Sequence, residues 1–385
     1  MEMLFWLSIG LIAYVYVGYP VLLAAAAALI GDREPEEKNE AGDARSLPPV
    51  TVIVAARNEA RRLPGRIANL LASDYPADRM QVVVASDGST DGTVEALAPF
   101  ASRIELIMLP PEGKARALNA AVARARHPIL VFADARQRFA PDTIRRLVRH
   151  FSRLSVGAVS GELVIDCEDS GAARPGLEAD ATPAPSSSVA DGVGAYWKYE
   201  KWLRRKEAAI GSTLGVTGAV YAMRRSLWQP LPPDTILDDV LGPMRIVLRR
   251  YRVIFDRTAC AFDEVSPDAA AETRRKIRTL AGNYQLMRLE PRLLVPFANP
   301  VWLQFVSHKV GRLIVPYALV TLFAASAWLA VHSWLYATAF AGQLGFYGLA
   351  AYGARLDRQQ REGRRADGAR GETAYPEIVN RHEAA

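Results

Sequence analysis

The sequence predicts an α/β protein in which a mainly parallel sheet carries helices on both faces, with transmembrane helices at both ends of the chain. Three observations predict it. Between residues 50 and 160, short β-branched runs alternate with helix-length segments, the pattern of consecutive strand–helix–strand units. Those runs are apolar at successive positions rather than at every second one, as in strands buried on both faces. Uncharged stretches at 3–30, 313–330 and 334–354 flank this core, and roughly 20 such residues cross a bilayer.

The elements follow in order. Residues 1–31 form an N-terminal anchor: Glu2 precedes the apolar run, whereas a cleavable signal begins with basic residues and has a shorter core. A linker at 32–49 leads to a soluble domain spanning 50–291. Its strands are expected at VTVIVAA (50–56), MQVVVAS (80–86), RIELIML (103–109) and PILVFAD (128–134), with helices at 59–73, 91–100, 114–126 and 141–153. Residues 168–194, rich in Ala, Ser, Pro and Gly with few large apolar side chains, are expected to form a mobile loop. A helix bearing Tyr196, Trp197 and Trp202 follows, then the apolar stretch STLGVTGAVYAM and LDDV at 237–240. At 292–311, aromatics mixed with polar groups suit a helix lying in the membrane interface or an ordinary buried helix. A transmembrane hairpin at 312–354 and a charged tail at 355–385 complete the chain.

Orientation follows from the basic residues. Arg33, Lys38 and Arg45 follow the first span, Lys309 and Arg312 precede the second, and Arg355, Arg358 and Arg361 follow the third. By the positive-inside rule the soluble domain and the tail face the cytoplasm from the cell (inner) membrane. The pair Cys167 and Cys260 makes no disulfide scaffold, and the five histidines never fall at metal-ligand spacing. Lys plus Arg number 47 against 41 Asp plus Glu, a net charge of +6, too small and too interspersed to indicate nucleic acid. Gly113-Lys114 lacks the upstream glycine and the following Ser or Thr of a P-loop, and no GxGxxG follows a strand.

In such sheets ligands bind at the carboxyl ends of the strands, where the polar clusters fall. Arg57, Asn58 and Glu59 follow the first strand. Asp87 opens DGSTDGT after the second; its carboxylate can accept from a ribose hydroxyl or a uracil imide, or the segment can simply start a helix. Asp134 ends the fourth strand as FADAR, a place for a metal or diphosphate contact or for a helix cap. Asp238 and Asp239 are adjacent acids in an apolar setting, which tends to raise one pKa as a general base requires, although taken singly such a pair suits a solvated loop at least as well. Lys114, Arg275 and Arg278 can neutralise a departing diphosphate, although RRKIR at 274–278 also suits a solvated or headgroup-facing surface.

Taken together and in order, these segments resemble the family 2 glycosyltransferases of GT-A fold, in particular the membrane-anchored branch that includes cellulose, chitin and hyaluronan synthases. VTVIVAARNE is similar to the family's opening strand, and VVVASDGSTDGT to its nucleotide-binding segment. GKARALN at 113–119 is similar to G-K-x-x-A-L-N, FADAR falls at the Asp-x-Asp position and LDDV at the Glu-Asp position. Arg275 to Asn283 is similar to the Q-x-x-R-W segment and its downstream glycine. The resemblance implies an inverting transfer of a sugar from a nucleotide-diphosphate sugar, UDP favoured, to a lipid-linked or glycan acceptor at the membrane, in cell-envelope or exopolysaccharide synthesis. It implies Asp239 as catalytic base. Asn58, Glu59, Asp87, Lys114, Asp134, Arg136, Arg275 and Arg278 would hold the donor, and Asp134 a Mg or Mn ion. Asp238, Trp197, Trp202 and Gly218 would border the acceptor, with a core role for the two tryptophans equally open.

Two departures bear on this expectation. Arg136 replaces the second Asp of Asp-x-Asp, removing a metal ligand and offering a cation to the diphosphate instead. In the Q-x-x-R-W segment Arg275 replaces Gln and Thr279 replaces Trp, so processive synthesis is not implied. The departures leave a second reading, a catalytically lapsed nucleotide-binding subunit of a polysaccharide synthesis or export complex, and a third, a nucleotidyltransferase.

Overall fold

The computed structural model describes residues 1–30, 47–165, 188–263 and 269–372. Eight strands form one sheet: β1 Val50–Ala56, β2 Met80–Asp87, β3 Glu105–Leu109, β4 Ile129–Asp134, β5 Arg138–Phe139, β6 Val156–Ile165, β7 Val220–Arg224 and β8 Arg252–Asp263. Their order is β3-β2-β1-β4-β7-β6-β8-β5. The four expected strands are the parallel half, in the order β3-β2-β1-β4. The other half is mixed: β7 runs antiparallel to β4 and β6, while β6 and β8 are parallel. In β1 alternate residues point to opposite faces, so Ile53 enters one core with Leu118, Leu130 and Leu241, and Val52 and Val54 the other with Leu63, Ile67 and Ile144. All of these are fully buried or nearly so, each worth roughly 1.5–3 kcal/mol of transfer from water, which is why the strand sequence is apolar throughout.

The expected helices are present but shorter, at Leu63–Leu71, Thr93–Ala96, Lys114–Ala123 and Thr143–Val148. Three more build the far side of the site: Ser188–Ile210, Asp238–Leu248 and Ala269–Leu289. Of the loop expected at 168–194, residues up to 187 lie outside the described residues, and 188–194 are instead helical. Residues 31–46 of the linker, and 373–385 of the tail, also lie outside them.

Among the described residues two helices are long and apolar enough to cross a membrane, Glu2–Ile30 and Trp302–Leu329. The first contains a π-helical turn at Tyr14–Gly18, just before Pro20, which has no N–H to give and presses on the carbonyl four residues back. The second begins earlier than expected. In place of a separate interfacial helix over 292–311 there is a short turn at Pro291–Leu294 and then helix that runs from Trp302 through residues 305–310 without a break. A third helix, Trp334–Glu372, carries Gly, Tyr and Gln among its apolar residues and continues well into what was expected to be the charged tail.

By contacts the chain divides into two compact units, residues 1–14 with 314–385, and residues 15–313. In the first, Phe5 packs edge-on against Tyr336 at 4.9 Å, with Leu322, Ala325 and Leu329 around it. The second contains the sheet and everything that follows.

Candidate active site

Strand register brings the polar clusters to one rim. Asp87 ends β2 opposite Leu109 of β3, and Asp134 ends β4 opposite Ala55 of β1. Gly88 then turns the chain with φ +62°, where a Cβ would lie 2.7 Å from Pro111, so only glycine serves. Asp87 Oδ1 accepts from the backbone N–H groups of Glu112 and Gly113 at 2.8 and 2.9 Å, and Arg57 lies 3.9 Å from Oδ2. One oxygen thus fixes the loop that starts the Lys114 helix, and the residue also borders a cleft. That cleft of about 390 Å³ is lined by Asp87, Leu109, Pro110, Arg116, Asn119 and Leu231 among others, a volume within the range of small-ligand sites.

Asn58 and Glu59 tie two loops together through their hydrogen bonds. Asn58, at φ 55°, donates its N–H to Ser89 Oγ and accepts from the Thr90 N–H. The N–H of Glu59 donates to Thr93 Oγ1, and its carboxylate pairs with Arg62 at 3.3 Å.

Lys114 joins the rest. Its Nζ lies 3.5 Å from Asp134 Oδ1 and 3.1 Å from Asp238 Oδ2, so one ammonium links the end of β4 to the start of the Asp238 helix. Burial lowers the lysine pKa, but the carboxylates of Asp238, Asp134 and Asp239 outweigh it, and the net shift is upward. Lys114 is therefore charged throughout the physiological range. The Asp134 backbone is itself pinned by buried Arg66, which donates from Nε to the Asp134 carbonyl at 3.1 Å and covers the Phe139 ring at 4.0 Å. Desolvation brings the pKa of Arg66 down to about 9 against the pull of Asp134. Nothing in the sequence singles this arginine out beyond its place among the apolar residues of LPGRIANLL.

Arg136 is held in an ion pair. Its Nε and Nη2 clasp both oxygens of Asp263 at 3.0 and 2.6 Å, and Gln137 Nε2 adds a third bond at 2.9 Å. Asp263, at the end of β8, is absent from any sequence motif. Asp134 is left as the carboxylate of the former pair, half-exposed, with Oδ2 unpartnered among the described residues. No group of three His, Cys, Asp or Glu suited to a metal occurs among the described residues. One free carboxylate oxygen fits Mg²⁺, which is commonly held by one or two carboxylates with substrate phosphates completing its shell.

Asp239 is the perturbed acid. Burial raises its pKa first and the neighbouring Asp238 second; Lys114, Lys309 and Arg204 lower it, and the balance stands at about 6. The loop before β7 wraps the residue closely: Val216 N–H donates to the Asp239 carbonyl at 2.9 Å, and a Cβ on Gly218 would meet Asp239 Oδ2 at 3.4 Å. Gly218 thus leaves room for the carboxylate. Trp202 is half-buried and stacks on Tyr199 at 6.4 Å; the Trp197 side chain lies outside the described residues. Arg275 and Arg278 are both exposed on their helix, and Arg278 has no hydrogen bond or ion pair among the described residues. That helix serves the site from below: Gly282 abuts Leu237, and Gln285 Oε1 accepts from the Ile236 N–H at 2.9 Å.

Residues 51–229 match the family model described as glycosyl transferase family 2. Among curated relatives, the beta-monoglucosyldiacylglycerol synthase of Nostoc sp. (strain PCC 7120 / SAG 25.82 / UTEX 2576) is 25% identical over 62% of this chain and 50% of its own length. The N-acetylglucosaminyltransferase of Rhizobium leguminosarum bv. trifolii is 35% identical over 31% of this chain and 69% of its own length. The chain spans about half the length of the first of these. Among solved structures, the mannosyltransferase PcManGT from Pyrobaculum calidifontis, in complex with GDP-Man and Mn2+, superposes with a TM-score of 0.64 at 26% identity, covering 92% of each chain.

Proposed function

The chain belongs to glycosyl transferase family 2, and we propose that it is an inverting glycosyltransferase that moves a sugar from a nucleotide-diphosphate sugar to a membrane-associated lipid or glycan acceptor. The observation that carries this reading is the Lys114 bridge to Asp134 and Asp238, which sets a fixed cation next to the acid Asp239. Asp239, with a pKa near 6, is ionised at neutral pH yet basic enough to take a proton. The acceptor hydroxyl gives its proton to Asp239 as its oxygen bonds the anomeric carbon, and the carbon–oxygen bond to the diphosphate breaks on the opposite face. Lys114 neutralises the leaving group, the main electrostatic demand of the step. Asp134 would hold a divalent ion, which supplies further neutralisation of the diphosphate when bound.

The cleft beside Asp87 suits the nucleoside, with Asp87 Oδ2 as acceptor for an imide or a ribose hydroxyl, and a UDP-sugar is the donor we favour. PcManGT carries GDP-Man, so guanine donors belong in any test. The two apolar helices and the basic residues that flank them support a cell (inner) membrane protein with a cytoplasmic catalytic domain.

The test is release of nucleoside diphosphate by detergent-purified protein over UDP-, GDP- and dTDP-sugars, with and without EDTA, beside Asp239→Asn. Release with one donor that requires Asp239 supports the reading and names the donor. Binding without release from any donor would sink it in favour of the lapsed nucleotide-binding subunit, the reading that the clasped Arg136 and exposed Arg278 favour.

A further inference from the structure

Among the buried charged groups that the proposed mechanism does not use, one set lies where the two apolar helices meet the helix Ser188–Ile210. Its centre is Glu207, in the last turn of that helix and only 1% exposed. Glu207 Oε1 accepts from the Tyr19 hydroxyl at 2.8 Å and lies 2.6 Å from His308 Nδ1. Tyr19 belongs to the first apolar helix and His308 to the second, and both are buried. The other ring nitrogen of His308 lies 3.5 Å from Glu200, which also pairs with Arg312. A carboxylate buried as deeply as Glu207 persists only where donors and cations meet it, so the end of this helix is fixed to both apolar helices.

The chain that follows this helix closes over Asp239. Gly211 N–H donates to the Glu207 carbonyl at 3.1 Å, and the Gly211 carbonyl accepts from Arg252 Nε at 3.0 Å. Thr213 N–H donates to the Val253 carbonyl at 3.0 Å, and Thr217 N–H to Ser160 Oγ at 2.9 Å. Between them Val216 N–H reaches the Asp239 carbonyl, and Gly218 lies against the Asp239 carboxylate. Arg204, one turn before Glu207 on the same helix, donates from Nη1 to Thr217 Oγ1 at 2.8 Å. The helix thus holds the segment 211–218 at both ends, through the chain at Gly211 and through Arg204 at Thr217.

We propose that Tyr19 and His308, one from each apolar helix, are positioning residues of the active site: through Glu207 they seat the end of the helix Ser188–Ile210 and so keep residues 211–218 closed over Asp239. The inference rests on the reading of Asp239 as the base. The seating of the apolar helices against the domain thereby sets how far water reaches the Asp239 carboxylate.

The test is amide hydrogen exchange of the full chain in neutral detergent, read by mass spectrometry, for the parent, Tyr19→Phe, His308→Leu and His308→Asn. Tyr19→Phe changes no charge, and His308→Asn keeps an N–H near the place of Nδ1–H. In Tyr19→Phe and His308→Leu, residues 211–218 should exchange about tenfold faster or more, the scale of one hydrogen bond to a charged group, while β1 keeps its parental rate. His308→Asn should restore part of the protection. Parental exchange of 211–218 in both variants would overturn the proposal. Equal acceleration of 211–218 and β1 would overturn it too, since that reports general loosening of the fold. Nucleoside diphosphate release against pH, in the same preparations, gives the second readout. Burial raises the pKa of Asp239 to about 6, and a more hydrated carboxylate has a lower one, so the climb in rate should move to lower pH in Tyr19→Phe. An unmoved climb would overturn the link to Asp239. No release from any donor would sink the transferase reading separately, and exchange would still decide whether residues 211–218 depend on Tyr19 and His308.

Discussion

The proposed donor rim and the proposed acceptor rim of this site are built by different means. At the donor rim, Asn58, Asp87, Asp91 and Thr93 sit on neighbouring parallel strand ends and bond mostly to backbone N–H groups of the next loop. At the proposed acceptor rim, Arg204, Glu207 and His308 come from two helices and bond through their side chains, Arg204 to Thr217 and His308 to Glu207 across 101 residues of sequence. The difference teaches where tolerance lies. A loop stitched by several separate hydrogen bonds, at about 0.5–1.5 kcal/mol each when neutral and about 1.5–3 when a carboxylate accepts, keeps the rest when one goes, whereas removing one member of a buried charged set leaves the others unpaired at about 3–5 kcal/mol.

The sharpest way to break the comparison is at the residue between the rims. Asp239→Asn should lower kcat by about 10²–10⁴-fold while the donor KM stays within a few-fold, measured by nucleoside diphosphate release. A kcat within tenfold of the parent would remove Asp239 as the base.

Lys114→Met should cost about 10²–10³-fold in kcat/KM and also move the pH profile. Activity needs ionised Asp239, so the rate should climb through about pH 6 in the parent. Lys114 holds that pKa down, and without it the climb should shift to higher pH. An unshifted limb would show that Lys114 does not act on Asp239. The same pKa gives a stability expectation. The folded state holds the Asp239 proton more tightly than the unfolded chain does, so this group's contribution to stability should fall as pH rises between about 4 and 6. Denaturant midpoints of the parent across this window, beside Asp239→Asn, measure it.

Chelation tests the donor rim next. With Asp134 as ligand, EDTA should reduce donor turnover by tenfold or more and Mg²⁺ or Mn²⁺ should restore it. Turnover indifferent to EDTA would leave Lys114 to neutralise the diphosphate unaided. Asp263→Asn should destabilise by about 3–5 kcal/mol in denaturant unfolding because it strands Arg136, and Arg136→Ala in the same background should recover part of the loss.

The smallest effect is expected at Asn58. Asn58→Gly keeps the positive φ and removes one accepted hydrogen bond, so the donor KM should rise only a few-fold. A collapse of activity there would mean that the donor rim is as brittle as the acceptor rim.

Reading the sequence alone recovered the parallel half of the sheet. VTVIVAA, MQVVVAS and PILVFAD became strands because residues apolar at every position suit a strand covered on both faces. β5, β6, β7 and β8 were not recovered as strands. β6 carries Gly157 and Gly161, where a Cβ would lie 2.4 Å from Ile246 and from the Ala259 carbonyl, and it has register shifts against β8 at both places. Such a strand is set by its neighbours, not by its own pattern. At the site, the structure brings Lys114, Asp134, Asp238 and Asp239 together, and it adds for Asn58, Arg136 and Gly218 contacts within the protein that the sequence does not announce.

The sequence by itself determined the alternating strands and helices, the apolar ends and the order of the acidic and glycine-rich loops. These depend on side-chain periodicity and on local backbone chemistry, both written in consecutive residues. Only the tertiary structure decided that Asp263 takes Arg136 and that Arg66 lies beneath Asp134. Each of these pairings joins groups far apart in the chain, and the energy of an ion pair or a buried charge depends on distance and exposure, which the fold alone fixes.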